Sequence, residues 1–218
     1  MSSVIQVQGL TKKFGHQFTA VNDLSFSVNK GDVYGFLGQN GAGKSTTIRM
    51  LLSLIEPTAG HIEIFGLPLA TNRSAIMKKV GAVIEKPAMY EYLTAFQNLK
   101  IFSALSGVSK TKTQLLQELD VVGLAARAQD NVGTFSQGMK QRLAIAMAMV
   151  NDPELILLDE PTNGLDPQGI ADIRNLILHL SREQGKTVLV SSHLLSEIEQ
   201  VATRLIIIDK GCKLVEGD

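Results

Sequence analysis

The chain has 218 residues, 44% of them hydrophobic, and its 21 basic and 21 acidic residues leave a formal net charge of +0. That length fits one domain with lobes better than two full domains. The even charge gives no support to binding nucleic acid through bulk electrostatics, so no nucleic-acid partner is expected.

One cysteine, Cys212, leaves no internal disulfide, and a reducing, cytosolic setting is the default. The opening "MSSVIQVQGL" lacks a basic start followed by an apolar run, so no signal peptide is expected. Apolar runs such as "LAIAMAMV" fall far short of the roughly 20 residues a membrane helix needs. The expectation is a soluble protein. No internal repeat, low-complexity tract or linker is apparent.

In chain order, short strand-like runs come first, at Ile5–Val7, Leu24–Val28 and Asp32–Leu37. "GHIEIFG" (Gly60–Gly66) alternates apolar and polar side chains as a half-buried strand does. A helical pattern runs from Gly43 to Ile55 and breaks at "EPTAG"; Lys79–Glu85 reads as a buried strand. Thr94 to Ala128 reads as short helices broken near Gly107 and Gly123, and a helix runs from Ser136 to about Val150. Strand Leu155–Asp159, helix Pro167–Glu183, strand Thr187–Ser192, helix Leu194–Ala202 and strand Arg204–Asp209 complete the pattern. Apolar strands alternating with helices point to an α/β fold with a mostly parallel sheet covered on both faces. The early strands and the middle helices would be extra lobes.

"GQNGAGKSTT" (Gly38–Thr47) is the most informative stretch. Gly38, Gly41, Gly43, Lys44 and Ser45 fit G-x-x-x-x-G-K-[ST], after a strand and at the opening of a helix, the context this motif requires. Bare glycines let backbone N–H groups wrap a phosphate chain, and the helix N-terminus adds partial positive charge. Lys44 would reach the β- and γ-phosphates and the Ser45 hydroxyl would bind Mg²⁺. Read alone, this is a phosphate loop of the kind kinases, GTPases and ATPases share. "LILLDE" then sets Asp159 and Glu160 at the end of an apolar strand, a costly place for two carboxylates without a task. Asp159 can hold Mg²⁺ through water, and Glu160 can polarise an attacking water as general base.

With "TFSQGMKQRLAIAMAMV", "NGLD" (Asn163–Asp166) and His193 after "TVLVSS", the chain resembles the ATP-binding cassette of ABC transporters, over its whole length and with the motifs in family order. The resemblance implies a single P-loop cassette over 1–218, with an antiparallel β lobe and a helical lobe at about 86–150. It implies Mg-dependent ATP hydrolysis between two copies, each supplying its phosphate loop to one nucleotide and its signature to the other. Phosphate contacts would come from Gly38, Asn40, Gly41, Ala42, Gly43, Lys44, Ser45 and Thr46. Ser136 and Gly138 would carry the signature, although "FSQGM" departs from the usual "LSGGQ" at Gln137 and Met139, and read alone it is an N-capped helix start. His193 resembles the switch histidine, Asp166 a cross-dimer contact, and Phe14 the aromatic that stacks adenine.

Glu85 stands where the family normally has a glutamine that touches Mg²⁺ and relays to the membrane partner. That exchange resembles cassettes exporting peptide antibiotics for self-protection, of the bacitracin and lantibiotic type. In the other alignment, Gln97 is the relay. Met89, Tyr90, Tyr92 and Leu93 read equally as a seat for a partner's helix or as lobe packing. The resemblance implies a separate polytopic membrane permease and a cytoplasmic chain held peripherally at the inner face of the cell membrane. Two rivals stand beside it: a soluble cassette ATPase acting on ribosomes or DNA, and a P-loop kinase or GTPase. The sequence stops at "KLVEGD", where many members of the family continue.

Overall fold

The computed structural model describes residues 2–15, 18–84 and 89–217. Glu85, expected to contact metal, lies outside these residues. Among the described residues two sheets form. The first is antiparallel, in the order β2-β1-β4-β5, from β1 (Ser3–Phe14), β2 (Phe18–Asn29), β4 (Ala59–Ile64) and the two-residue β5 (Leu67–Pro68). The second has the order β10-β9-β3-β8-β7-β6, from β3 (Val33–Leu37), β6 (Val80–Val83), β7 (Leu155–Leu158), β8 (Thr187–Ser192), β9 (Arg204–Asp209) and β10 (Cys212–Gly217). Its strands run parallel except β10, which is antiparallel to β9. The expected α/β architecture is the one observed.

The central strands of the second sheet, β3, β7 and β8, are buried on both faces, as their continuous apolar runs require, whereas β10 at its edge is largely exposed. Tyr34, Phe36, Leu155, Leu157 and Leu189 point to a core shared with β1, β2, β4 and helix α1 (Lys44–Leu51). Val33, Leu37, Ile156, Leu158, Val188 and Val190 point the other way. There they meet α5 (Gln137–Met149) and α6 (Pro167–Arg182), with α3 (Ala95–Leu105) and α4 (Lys112–Val121) beyond. Leu143, Ala144, Ile145, Ala146 and Met147 of α5 are all buried, because this helix is packed on several sides.

The structure extends the sequence reading in four places. β1 and β2 are each 12 residues long, because register shifts at Val7/Leu10 and Leu10/Lys12 break the alternation by which strands are read. Helix α2 (Leu69–Met77) and strand β10 were not expected; α2 buries only Leu69 and Ile76 and has a kink at Asn72. Helix α7 is only Leu195–Ile198, with Leu194 and Leu195 exposed; the chain then continues through turns to β9. Among the described residues no helix is long and apolar enough to cross a membrane.

Candidate functional site

Parallel pairing brings three chemistry-bearing loops to one edge of the sheet. β8 lies between β3 and β7, with Leu37 beside Ser192 and Leu158 beside Val190. The loops after these strands therefore meet at their carboxyl ends, where open α/β sheets bind ligands. They carry Gly38–Ser45, Asp159–Glu160 and His193.

Gly38 donates its N–H to Ser192 O at 3.2 Å and Ala42 donates to Gln39 O at 3.0 Å. Two glycines are required by the backbone itself. A Cβ on Gly38 would stand 2.6 Å from Ile208 O; one on Gly43 would stand 2.6 Å from Ala20 O, and Gly43 also has φ +106°. Asn40 and Gly41 are exposed, Ala42 is buried, and Ser45 and Thr46 are partly open. Gly43 starts α1 with no side-chain cap, so the first helical amides are available to an anion. Lys44 is buried and donates to Gly38 O at 2.6 Å and Gln39 O at 3.3 Å. It also approaches Glu160 Oε1 to 3.0 Å.

Glu160 occupies a strained position: its φ is +49°, costly for a residue with a side chain. Its N–H donates to Ser191 Oγ at 2.8 Å, and Ser191 Oγ in turn donates to Asp159 Oδ1 at 2.6 Å. Glu160 Oε2 lies 2.9 Å from His193 Nδ1. Oε1 is buried and has no hydrogen-bond donor among the described residues, so its 3.0 Å approach to Lys44 is a charge contact in poor hydrogen-bond geometry. Backbone strain, a buried cation and an undersatisfied buried carboxylate coincide here, as happens where function rather than stability sets the arrangement. They also fit the expected ligand: the uncapped helix start and Lys44 suit a phosphate chain, and Oε1 has a free lone pair for a water's proton.

The expected metal contacts are Ser45, Asp159 and Glu85. Among the described residues no group of three or more His, Cys, Asp or Glu side chains gathers as a metal site. Ser45 and Asp159, the two expected contacts that are described, suit Mg²⁺, which is usually held by one or two protein groups plus substrate phosphates rather than by an all-protein cage.

The remaining candidates lie outside this cluster. Ser136 caps α5, its Oγ accepting from Met139 N–H at 3.3 Å, and Gly138 faces Gly169, 3.5 Å from where its Cβ would be. Asp166 caps α6 through Gly169 N–H at 3.1 Å. Phe14 ends β1, 45% exposed, with the Phe18 ring stacked at 6.4 Å and Lys12 Nζ 5.2 Å from its centroid. Gln97 forms a capping box with Thr94 at the start of α3, which gives its side chain a local task.

Met89 packs against the helical-lobe core, whereas Tyr90 and Tyr92 are exposed, their rings 6.1 Å apart. Beside them Leu93, Gln97, Lys100, Ile101 and Ala104 line an open groove of about 360 Å³. Glu91 pairs with Lys140 of α5 at 2.5 Å, and its carbonyl accepts from Gly133 N–H at 2.8 Å. Sequence reasoning missed Ser191, which joins Asp159 to Glu160. Its only signal was a pair of serines before His193.

The ABC transporter family description matches residues 21–163. Bacitracin transport ATP-binding protein BcrA of Bacillus licheniformis is 50% identical over 216 residues, 99% of this chain and 70% of that protein. Lantibiotic transport ATP-binding protein SrtF of Streptococcus pyogenes is 39% identical over 215 residues, 99% of this chain and 91% of that protein. A solved dimeric, post-hydrolysis ATP-binding cassette bound to ADP and Pi superposes with a TM-score of 0.84 at 26% identity, covering 98% of each chain. The resemblance read from the motifs therefore holds, down to relatives of the bacitracin and lantibiotic type. The loops gathered around Lys44 and Glu160 sit on a chain that belongs to the ABC transporter family, as an ATP-binding cassette that hydrolyses ATP.

Proposed function

We propose that the chain hydrolyses Mg-ATP as one half of a nucleotide-sandwich dimer and thereby drives a separate membrane permease that exports a peptide antibiotic or a similar amphiphile. The observation that carries this reading is the gathering of Lys44, Asp159, Glu160 and His193 at neighbouring strand ends. In it, the loop amides and Lys44 bind the β- and γ-phosphates. Ser45, Asp159 and Glu85 would hold Mg²⁺, which would neutralise charge developing on the phosphate oxygens. Glu160 takes a proton from the attacking water, and His193, joined to Glu160, keeps that carboxylate aimed and contacts the γ-phosphate. Ser136, Gly138 and Asp166 act across the interface on the second copy's nucleotide. Phe14 offers an exposed ring for the adenine face.

The permease would dock beside Tyr90 and Tyr92, in the groove along α3. The Glu91–Lys140 pair and the Gly133–Glu91 backbone bond support such a seat, because they tie this loop to the start of α5. The direction and cargo rest on the relatives named for bacitracin and lantibiotic transport. The chain would then sit at the cytoplasmic face of the membrane through its permease. A cassette acting on ribosomes or DNA is not favoured, given the even charge. The test is affinity isolation from native membranes. A polytopic membrane protein in stoichiometric amount, stimulating ATPase activity when reconstituted, supports the reading; ribosomes in its place would overturn it.

A further inference from the structure

Glu197 has no part in the site described so far. It lies on α7, partly buried, and its Oε2 accepts two hydroxyl hydrogen bonds, one from the loop after β7 and one from the last residue of β8. Thr162 Oγ1, two residues after Glu160, donates at 2.5 Å; Ser192 Oγ, immediately before His193, donates at 3.1 Å. Ser192 Oγ also accepts the Leu194 N–H at 3.0 Å, so it grips the chain on both sides of His193. The carboxylate borders a small cavity of about 20 Å³ with Thr162, Arg174, Ser191, Ser192 and Ile198 on its walls.

These contacts complete a closed circuit. Ser191 joins β8 to Asp159 and the Glu160 amide, and Glu160 Oε2 meets His193 Nδ1. Glu197 closes the far side, from Thr162 back to Ser192. Without it, the side-chain hydrogen bonds among the described residues that join the histidine loop to the acid loop would be those of Ser191 and the Glu160–His193 contact. One carboxylate oxygen accepting two hydroxyls is a strong, charge-assisted arrangement.

We propose that Glu197 is a positioning residue for ATP hydrolysis, fastening the loop after Glu160 to the loop bearing His193. It would act through those two residues, and the proposal rests on their assignment above. An error of an ångström in such a setting costs roughly a hundredfold in rate. The hydrogen bonds require an acceptor oxygen, and the negative charge strengthens them. A glutamine can supply that oxygen, and an alanine cannot.

The test is steady-state ATPase kinetics on the full chain as wild type, Glu197→Ala, Glu197→Gln, Thr162→Val and the Glu197→Ala/Thr162→Val double variant. Glu197→Ala should lower kcat by roughly ten- to a hundredfold, leaving KM for ATP near wild type, while Glu197→Gln restores most of the turnover. Thr162→Val should lower kcat less, and the double variant should be no slower than Glu197→Ala alone, because both remove one connection. Wild-type turnover in Glu197→Ala, equal losses in the alanine and glutamine variants, or additive losses in the double variant would each overturn the proposal. Should Glu197→Ala fail to fold, Glu197→Gln and Thr162→Val still decide: slow Gln with normal Val contradicts it. Glu160→Gln, run alongside, separates the two failures, since normal turnover there sinks the site assignment itself.

Discussion

Lys44 Nζ lies 3.0 Å from Glu160 Oε1, and Glu160 Oε2 lies 2.9 Å from His193 Nδ1. The phosphate-loop cation and the acid at the end of β7 are therefore charge partners, with the histidine on the acid's other oxygen. A phosphate chain bound in the loop would compete with Glu160 for the same ammonium. Nucleotide binding and release of the carboxylate would then be linked.

Lys44→Ala should weaken ATP binding while the chain still folds. A charge-assisted contact to phosphate contributes roughly 1.5–3 kcal/mol, about ten- to a hundredfold in Kd. Equilibrium binding of a fluorescent ATP analogue measures this, with thermal melting to check folding. Wild-type affinity would contradict the role given to the loop.

Gly43→Ala should damage both stability and binding. The new Cβ would stand 2.6 Å from Ala20 O at a residue whose φ is +106°, and such strain costs on the order of 1–3 kcal/mol. A lowered melting temperature together with weakened ATP binding is the expected result; a variant unchanged in both would mean that the loop has room to rearrange.

Much of this site was legible because its signals are local. Gly38 to Ser45 is a contiguous pattern between a strand and a helix, and Asp159–Glu160 ends an apolar strand. What joins those pieces was not legible. Ser191 and Glu197 are common residue types whose roles come from the sheet order, which sets β8 between β3 and β7. The positive φ of Glu160 has no sequence signature at all, since glutamate is not a residue chosen for that conformation. The same holds for the fold: α6, with Pro167 at its first turn and Asp166 as its cap, could be read closely. The full length of β1, interrupted by bulges, could not.

Alkaline pH should destabilise the protein through Tyr34. Burial first, then its 2.8 Å hydrogen bond to Glu216, holds this phenol protonated far above the ordinary tyrosine range. Below pH of about 10 both folded and unfolded forms keep the proton; above it only the unfolded form releases it, so stability falls by about 1.4 kcal/mol per pH unit from this group. Denaturant unfolding of wild type and Tyr34→Phe between neutral pH and pH of about 11 isolates the contribution. The Tyr34→Phe curve should fall less steeply above the tyrosine range, and parallel curves would contradict the assignment.

If Glu85, rather than Gln97, takes the place of the amide that the resemblance implies, it should steepen metal dependence. Asp159, Glu160, Glu85 and the ATP phosphates would crowd one Mg²⁺, and like charges that close repel strongly in a partly desolvated cleft. Glu85→Gln should weaken the dependence of ATPase rate on free Mg²⁺ with nucleotide affinity near normal. Glu85→Ala should lower permease-stimulated hydrolysis more than ATP binding. If both variants match wild type in metal dependence and stimulation, Glu85 has neither role.

Size-exclusion chromatography of Glu160→Gln with Mg-ATP tests the sandwich mechanism most directly. The substitution keeps the shape and removes the base, so turnover should fall by roughly 10²–10⁴-fold, and uncleaved ATP should hold two chains together. The account predicts a dimer peak with Mg-ATP that disappears with Mg-ADP or when Lys44→Ala is added. A Glu160→Gln protein that hydrolyses ATP at the wild-type rate, or that stays monomeric with Mg-ATP at high protein concentration, would contradict it.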